Sequence, residues 1–502
     1  MSISAACLGP PVSQAADFWG RRWFVIVLSS FGCVGCIIVS RSNSIGMAIA
    51  GQGISALSQG AQPVIHAIAS EILPRKHRPF AQASTNTAAF VGGILGLLVG
   101  GALTNNNPSG FRTFWYITAG LYGLSTIVVV ILYHPPVREL QQKYTTREKL
   151  AQLDWIGYFL LITGLVLFSF SLTSAISVYA WKSAQILAPL IVGSLLLLAF
   201  AVYEWKFTRT GMLHHDLFTR GRNFAIAELC ILAEGISFFA ANNYFGFEAA
   251  VVYGQDQFHA GLYYTVSWWS AFIATWLTGI YCSRSKTVRL PTTLAFISFA
   301  LFSALMASLT PSRGRANILG YAPFLGLGLG TALNTLVVVA QLSTPPELIS
   351  ITTGLMIATR SFGGTIALSI YTAVFSDQLT TELPAKVAAA AVPLGFDPSE
   401  LGHLIGALTS GNATAIGLVP GISHEILQAA GMGIKEAYSL GFRYVWITAA
   451  AFSALAVVGA TFLVDPKAEF NAHIDAPVET KEELGREGIT EKLHHHNHGS
   501  HA

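Results

Sequence analysis

The chain reads as a succession of apolar runs of about twenty residues separated by short polar stretches. That is the length needed to cross roughly 30 Å of hydrocarbon at 1.5 Å per residue. Twelve runs are predicted as membrane-spanning helices: 23–40, 45–69, 82–103, 113–133, 153–174, 185–204, 223–246, 262–282, 290–309, 317–340, 351–375 and 442–464. A membrane barrel would instead show ten-residue alternating segments, so the predicted fold class is an all-α polytopic membrane protein. Loop lengths group the spans as four, two and six. An N-terminal block covers 1–133, charged connectors with two helices cover 134–222, a helical block covers 223–464, and a polar tail covers 465–502. The last six spans divide as three plus three, an internal structural repeat.

Composition agrees with this pattern. Of 502 residues, 52% are hydrophobic and 11% charged, against about 25% charged in soluble proteins. With a cytosolic N-terminus, twenty Lys/Arg fall in cytosolic segments and eight on the other side, while Arg360 lies inside a span. This bias satisfies the positive-inside rule and puts both termini in the cytosol. The net charge of +3 is spread over loops and gives no footprint for nucleic acid. No basic n-region or adequate apolar core precedes Arg21, so the start does not read as a secretory signal.

The longest loop, 376–441, is placed outside and carries the sequon Asn412-Ala413-Thr414, a predicted glycosylation site. The tail ends in His494, His495, His496, His498 and His501, which read as a solvated segment rather than a metal site. Cys33 and Cys36 form a C-x-x-C within a span, where small-residue helix packing is the favoured reading over redox or metal chemistry. No Walker A sequence, nucleophile–base pair or cofactor signature is present in the chain, so neither an enzyme nor a cofactor is expected.

A charged side chain inside hydrocarbon costs at least about 2.5–3.5 kcal/mol on insertion scales, which makes each one a functional candidate. Glu234 lies twelve residues past Arg222, about 18 Å along a helix and so near mid-membrane. Its functional reading is a protonatable cavity group; the alternative is a carboxylate tying helices together. Arg360, beside Gly363-Gly364, is read either as a substrate or coupling residue or as a cross-link between close-packed helices. Glu228 is close enough to the interface to snorkel, Glu248 lies near the outer end of its span, and His66 reads as a packing residue. Gly92, Gly93, Gly96, Gly100 and Gly101 on one span, and Gly326, Gly328 and Gly330 on another, are expected at close helix contacts.

Several stretches carry a family resemblance that covers nearly the whole chain. Asp17, Gly20, Arg21 and Arg22 match the D-x-x-G-R-[RK] loop signature of the major facilitator superfamily. Glu71-Ile-Leu-Pro74-Arg75-Lys76-His77-Arg78 resembles its acid-and-basic loop after helix 4, and Gly92, Gly96, Gly100 and Gly101 resemble its antiporter motif, with Leu97 in place of the proline. Leu153-Asp154-Trp155-Ile156-Gly157 looks like the start of the two extra helices of fourteen-helix members. Arg360-Ser-Phe-Gly363-Gly364 matches the penultimate helix. Gln341-Leu-Ser-Thr-Pro345-Pro346-Glu347 and His473-Ile-Asp475-Ala-Pro477-Val-Glu479 resemble a fungal branch that includes trichothecene efflux pumps and siderophore transporters.

The resemblance implies a secondary transporter of the drug:proton antiporter type, exporting a small lipophilic metabolite, toxin or drug by alternating access. Its implied partners are a small-molecule substrate, protons and the lipid bilayer, in a monomer. The expected location is the plasma membrane, with the vacuolar membrane as the alternative. Glu234 and Arg360 would serve proton coupling or the substrate cavity; Asp17, Gly20, Arg21 and Arg22 would hold a cytosolic gate. Because only sixteen residues precede Asp17, the two opening helices are expected to be absent, leaving about twelve of fourteen. Uptake of a ferric siderophore and a truncated, transport-incompetent membrane protein are the competing readings.

Overall fold

A computed structural model describes residues 2–105, 107–136, 139–177, 181–208, 211–219, 221–314, 316–410 and 416–475. Asn412 and the tail histidines lie outside these residues. Among the described residues the chain is helical, with no strand.

The helices are α1 (Ser2–Trp19), α2 (Arg21–Ser40), α3 (Ile45–Ala56), α4 (Gln62–Ile72), α5 (Arg78–Thr104), α6 (Gly110–Leu132), α7 (Glu139–Lys143), α8 (Thr146–Gln152) and α9 (Trp155–Ser177). They continue as α10 (Ala184–Lys206), α11 (Asp216–Thr219), α12 (Asn223–Val251), α13 (Gln257–Ser285), α14 (Arg289–Ala307), α15 (Ala316–Leu342), α16 (Ile349–Ala391), α17 (Leu401–Ser410) and α18 (His424–Thr461). Each of the twelve apolar runs falls on one long helix, except that 45–69 is split by a 3-10 turn at Leu57–Ala61 into α3 and α4. Among the described residues, nine helices are long and apolar enough to cross a membrane on those grounds alone.

Two stretches differ from the sequence reading. Residues 2–19, too few for a predicted span, form α1, which packs along α16 and α9. Its Pro10 and Pro11 stand inside the helix, and its Ser13 and Gln14 are buried rather than facing water. The segment 376–441, read as a loop, is helical over much of its described length. Here α16 runs on to Ala391 and α18 begins at His424, and with α17 they enclose a small apolar cluster around Val387, Phe396, Leu404 and Ile426.

The packing forms two halves. In the first, α2 lies between α6 and α3, while α4 contacts α5; in the second, α12 packs on α16 and α18, and α14 on α15 and α18. The halves meet along two seams, α1 on α16 and α5 on α13. The connector helices α9 and α10 pair with each other and dock on the first seam, where Tyr158, Leu165 and Phe200 pack with Ala6, Cys7, Ile351 and Ala358. These seams place the middles of α4, α5, α12, α13, α15 and α16 around a common centre.

Candidate functional site: a charged pair at the meeting of the two halves

A cavity of about 140 Å³ sits at that centre, with walls from both halves. The first half supplies Gln62, His66, Asn86 and Phe90; the second supplies Phe238, Trp268 and Arg360. Glu234 on α12 and Arg360 on α16, singled out separately in the sequence, are bonded here. Arg360 Nε donates to Glu234 Oε2 at 2.5 Å and Nη2 to Oε1 at 3.1 Å, a fork-to-fork pairing. The Glu234 side chain is wholly buried, whereas Arg360 keeps 20% of its side chain exposed and lines the cavity. Its guanidinium also lies 4.7 Å over the Phe238 ring. The carboxylate is therefore sealed behind its cation, and the cation faces the space.

Small residues make this pairing reachable. A Cβ on Gly235 would lie 2.2 Å from the Arg360 carbonyl oxygen, and one on Gly363 would lie 2.5 Å from the Leu232 carbonyl oxygen. Glycine at both positions lets α12 and α16 approach backbone to backbone. Nearby, Ser237 and Ser453 share a hydrogen bond of 2.8 Å, and Tyr371 donates to the Ile236 carbonyl at 3.1 Å. His66 is held as well. Gln82 Nε2 donates to the His66 carbonyl at 3.2 Å, which leaves Gln82 Oε1 to accept from His66 Nδ1 at 2.7 Å.

Glu228 and Glu248 do not line the cavity. Glu248 accepts a 2.7 Å bond from Trp446 Nε1 within the second half. Glu228 differs from its expected snorkelling. Its carboxyl oxygens are shielded, stand beside Thr359, and have no well-formed hydrogen bond among the described residues.

The signature at Asp17–Arg22 closes a network at the tail end of the first half. Gly20 separates α1 from α2 with φ of +94°, a left-handed conformation that a side chain would strain. Arg21 is buried and bonds Asp17 at 3.1 Å and both oxygens of Glu71. Arg22 donates to the Val130 carbonyl at 2.8 Å. A second network crosses between the halves. Arg75 and Arg78 both bond Asp475 of the tail, Arg75 also bonds Glu469 at 2.5 Å, and Arg78 Nη1 donates to the Gln341 carbonyl at 3.0 Å. The sequence singled out all three of these stretches, but not their convergence.

The antiporter glycines differ in their surroundings. A Cβ added at Gly101 would lie 3.2 Å from the Phe258 backbone and one at Gly100 3.4 Å from the Phe114 ring, whereas one at Gly92 or Gly96 would meet nothing within 4 Å. At Gly93, outside the motif positions, an added Cβ would lie 3.2 Å from the Trp268 ring.

Long apolar helices in two halves, closed around a sealed charged pair, define a multi-pass integral membrane protein. The chain belongs to the Major Facilitator Superfamily, a family of secondary transporters, whose family model matches residues 1–368. It is similar to the MFS-type transporter ucsD of Acremonium sp., 25% identical over 381 residues, which cover 74% of this chain and 62% of that protein. It is also similar to the trichothecene efflux pump TRI12 of Fusarium sporotrichioides, 22% identical over 92% of this chain and 78% of the pump. The chain thus spans 62% and 78% of these two relatives' lengths. Among solved structures, the human organic anion transporter MFSD10 (TETRAN) superposes with a TM-score of 0.56 at 12% identity, covering 91% of this chain and 81% of that one. That likeness supports the fold.

Proposed function

We propose that the chain is a proton-coupled exporter of a small lipophilic metabolite, toxin or drug, working by alternating access across the plasma membrane with both termini cytosolic. The observation that carries the reading is the Glu234–Arg360 pair, with a fully buried acid behind a cation that faces a cavity walled by both halves. A substrate that takes hydrogen bonds from Arg360 weakens its hold on Glu234. A buried carboxylate deprived of its cation is costly, and taking up a proton relieves that cost. Substrate and proton would then exchange at one site, the coupling an antiporter needs. The similarity to a trichothecene efflux pump supports export as the direction.

The test is transport by the purified full chain in sealed vesicles carrying a pH gradient. Wild type is expected to move a lipophilic fluorescent dye against its gradient and to stop when a protonophore is added. Glu234→Gln is expected to let the dye equilibrate without concentrating it. Unchanged concentrative transport by Glu234→Gln would overturn the coupling role, and gradient-insensitive transport by wild type would overturn the function.

A further inference from the structure

The polar bonds that join the two halves are spread unevenly along the bundle. Toward the tail end, Asn334 of α15 donates to the Pro79 carbonyl at 3.0 Å and Ser283 of α13 to the Lys76 carbonyl at 2.9 Å. Ser350 of α16 donates to the Ser13 carbonyl at 3.4 Å, and Trp276 bonds Thr87 at 2.9 Å nearer mid-helix. Among the described residues, no hydrogen bond or ion pair joins the outer ends of the halves.

The charges in this closure come from the tail. Arg75 and Arg78 stand at the α4–α5 turn of the first half, and the acids they meet across the seam are Glu469 and Asp475. The root of the tail is tied to the second half. Asp465 accepts from the Val288 and Arg289 N–H groups at 2.7 and 2.9 Å, and Asn223 Nδ2 donates to the Val464 carbonyl at 2.8 Å. Residues 465–475 thus run from one half to the other.

Arg78 sets this strap beneath the cavity. Its Nη1 donates to the Gln341 carbonyl at 3.0 Å, and Gln341 Nε2 donates to Thr353 Oγ1 at 2.9 Å. Thr353 lines the cavity, as does Val337, one helical turn from Gln341. With the seam closed, Arg78 is buried and needs its acid; with the halves apart, water solvates both partners, so the pairing is reversible. Loss of the tail acids therefore penalises only the closed arrangement, and a contact made in one of two states shifts their populations.

We propose that residues 465–475 are a releasable latch that holds the tail end of the cavity shut and leaves Arg75 and Arg78 each time that end opens. The proposal rests on the alternating-access reading above for its place in a transport cycle.

The first arm of the test measures opening without transport. Spin labels are placed on the purified full chain at Ile72→Cys in the first half and Arg284→Cys in the second, both exposed positions at the tail end. Cys33, the cysteine that is not fully buried, is changed to Ser. Pulsed electron resonance then reads the distance across the seam. Glu469→Gln with Asp475→Asn is expected to raise the ratio of long to short distances about tenfold. An unchanged distribution would overturn the latch.

The second arm keeps both acids, so it decides the matter if that variant does not fold. Lys76 N donates to the Asn471 carbonyl at 2.9 Å, which brings Lys76→Cys and Asn471→Cys within reach of a disulfide. In sealed vesicles with a pH gradient, the oxidised pair is expected to lose dye transport at least about tenfold and to recover it with dithiothreitol, as a latch that must open requires. Transport at the reduced rate by a chain whose disulfide is confirmed by mass would overturn the proposal. A distance shift in a chain without proton-driven transport would remove the proposed function and keep the latch. Proton-driven transport by the oxidised chain would do the reverse.

Discussion

Arg78 and Asp475 form a salt bridge between residues 397 apart in sequence, with each side chain only 1% exposed. Around it the backbone is pinned, as Arg75 N donates to His473 O and Lys76 N to Asn471 O, each at 2.9 Å. Since Arg78 also bonds the Gln341 carbonyl, the tail clasps the α4–α5 turn of the first half to the end of α15 in the second. Asp475→Ala leaves the guanidinium of Arg78 buried without its counter-ion, which costs about 3–5 kcal/mol in comparable sites. A lower thermal midpoint is expected, together with faster tryptic cleavage at Arg75 and Lys76, and the exchange of charges in Arg78→Asp with Asp475→Arg should recover part of the loss. Unchanged cleavage in Asp475→Ala would show that the tail does not hold this end.

The Glu234–Arg360 pair predicts strong non-additivity. Arg360→Gln strands a wholly buried carboxylate and is expected to cost about 3–5 kcal/mol, while Glu234→Gln with Arg360→Gln removes both charges and should cost much less than that single change. Arg360→Lys keeps the charge but loses the two-pronged geometry and should retain folding while weakening transport. Chemical or thermal unfolding in detergent of wild type, Glu234→Gln, Arg360→Gln and the double variant supplies the cycle. Additive losses would mean that the two groups do not act as a pair.

Much of this architecture was legible in hydropathy, because hydrocarbon thickness sets a length that a run of apolar residues must meet. The same criterion is blind to helices not governed by that length. Hydropathy does not mark α1, because Pro10, Pro11, Ser13 and Gln14 interrupt its apolar run, although Ser13 and Gln14 are buried. Hydropathy alone does not carry α16 past 375 or start α18 before 442, because Pro384, Lys386 and Glu425 suit hydrocarbon poorly, although both helices run through these residues.

At the site, Glu234 and Arg360 were each visible as isolated charges in apolar sequence. Their pairing was not visible, as it depends on two helices 126 residues apart meeting in register. Gly235 and Gly363 carry the trace of that meeting, but only coordinates show that each is pressed against the other helix.

The N-terminus of α13, the helix that carries Trp268, predicts an acid-sensitive contact. Asp256 caps this helix by accepting the His259 N–H at 2.7 Å, and that bond holds its carboxyl below the ordinary value of 3.8. A carboxyl with a lowered folded value contributes stability above its unfolded value and loses it as pH falls through the folded one. The thermal midpoint of wild type should therefore exceed that of Asp256→Ala by a constant margin at neutral pH. The margin should shrink once pH drops below 3.8. A margin independent of pH down to strong acid would show that the carboxylate charge plays no part in the cap.

Gly235 and Gly246 stand on the same helix in opposite circumstances, and together they isolate the role of close approach. A Cβ at Gly235 would sit 2.2 Å from the Arg360 carbonyl oxygen, a backbone atom that cannot swing aside, whereas a Cβ at Gly246 meets nothing within 4 Å. Gly235→Ala must push α12 from α16, at a cost of about 1–3 kcal/mol or more, and it lengthens the bonds from Arg360 to Glu234. Gly246→Ala adds a methyl to open space and gains helix propensity, so it should be neutral or stabilising by up to about 1 kcal/mol. Thermal midpoints in detergent would separate the two, and transport would be lost only in Gly235→Ala. Equal behaviour of the variants would mean that the contact of α12 with α16 does not set the geometry of the charged pair.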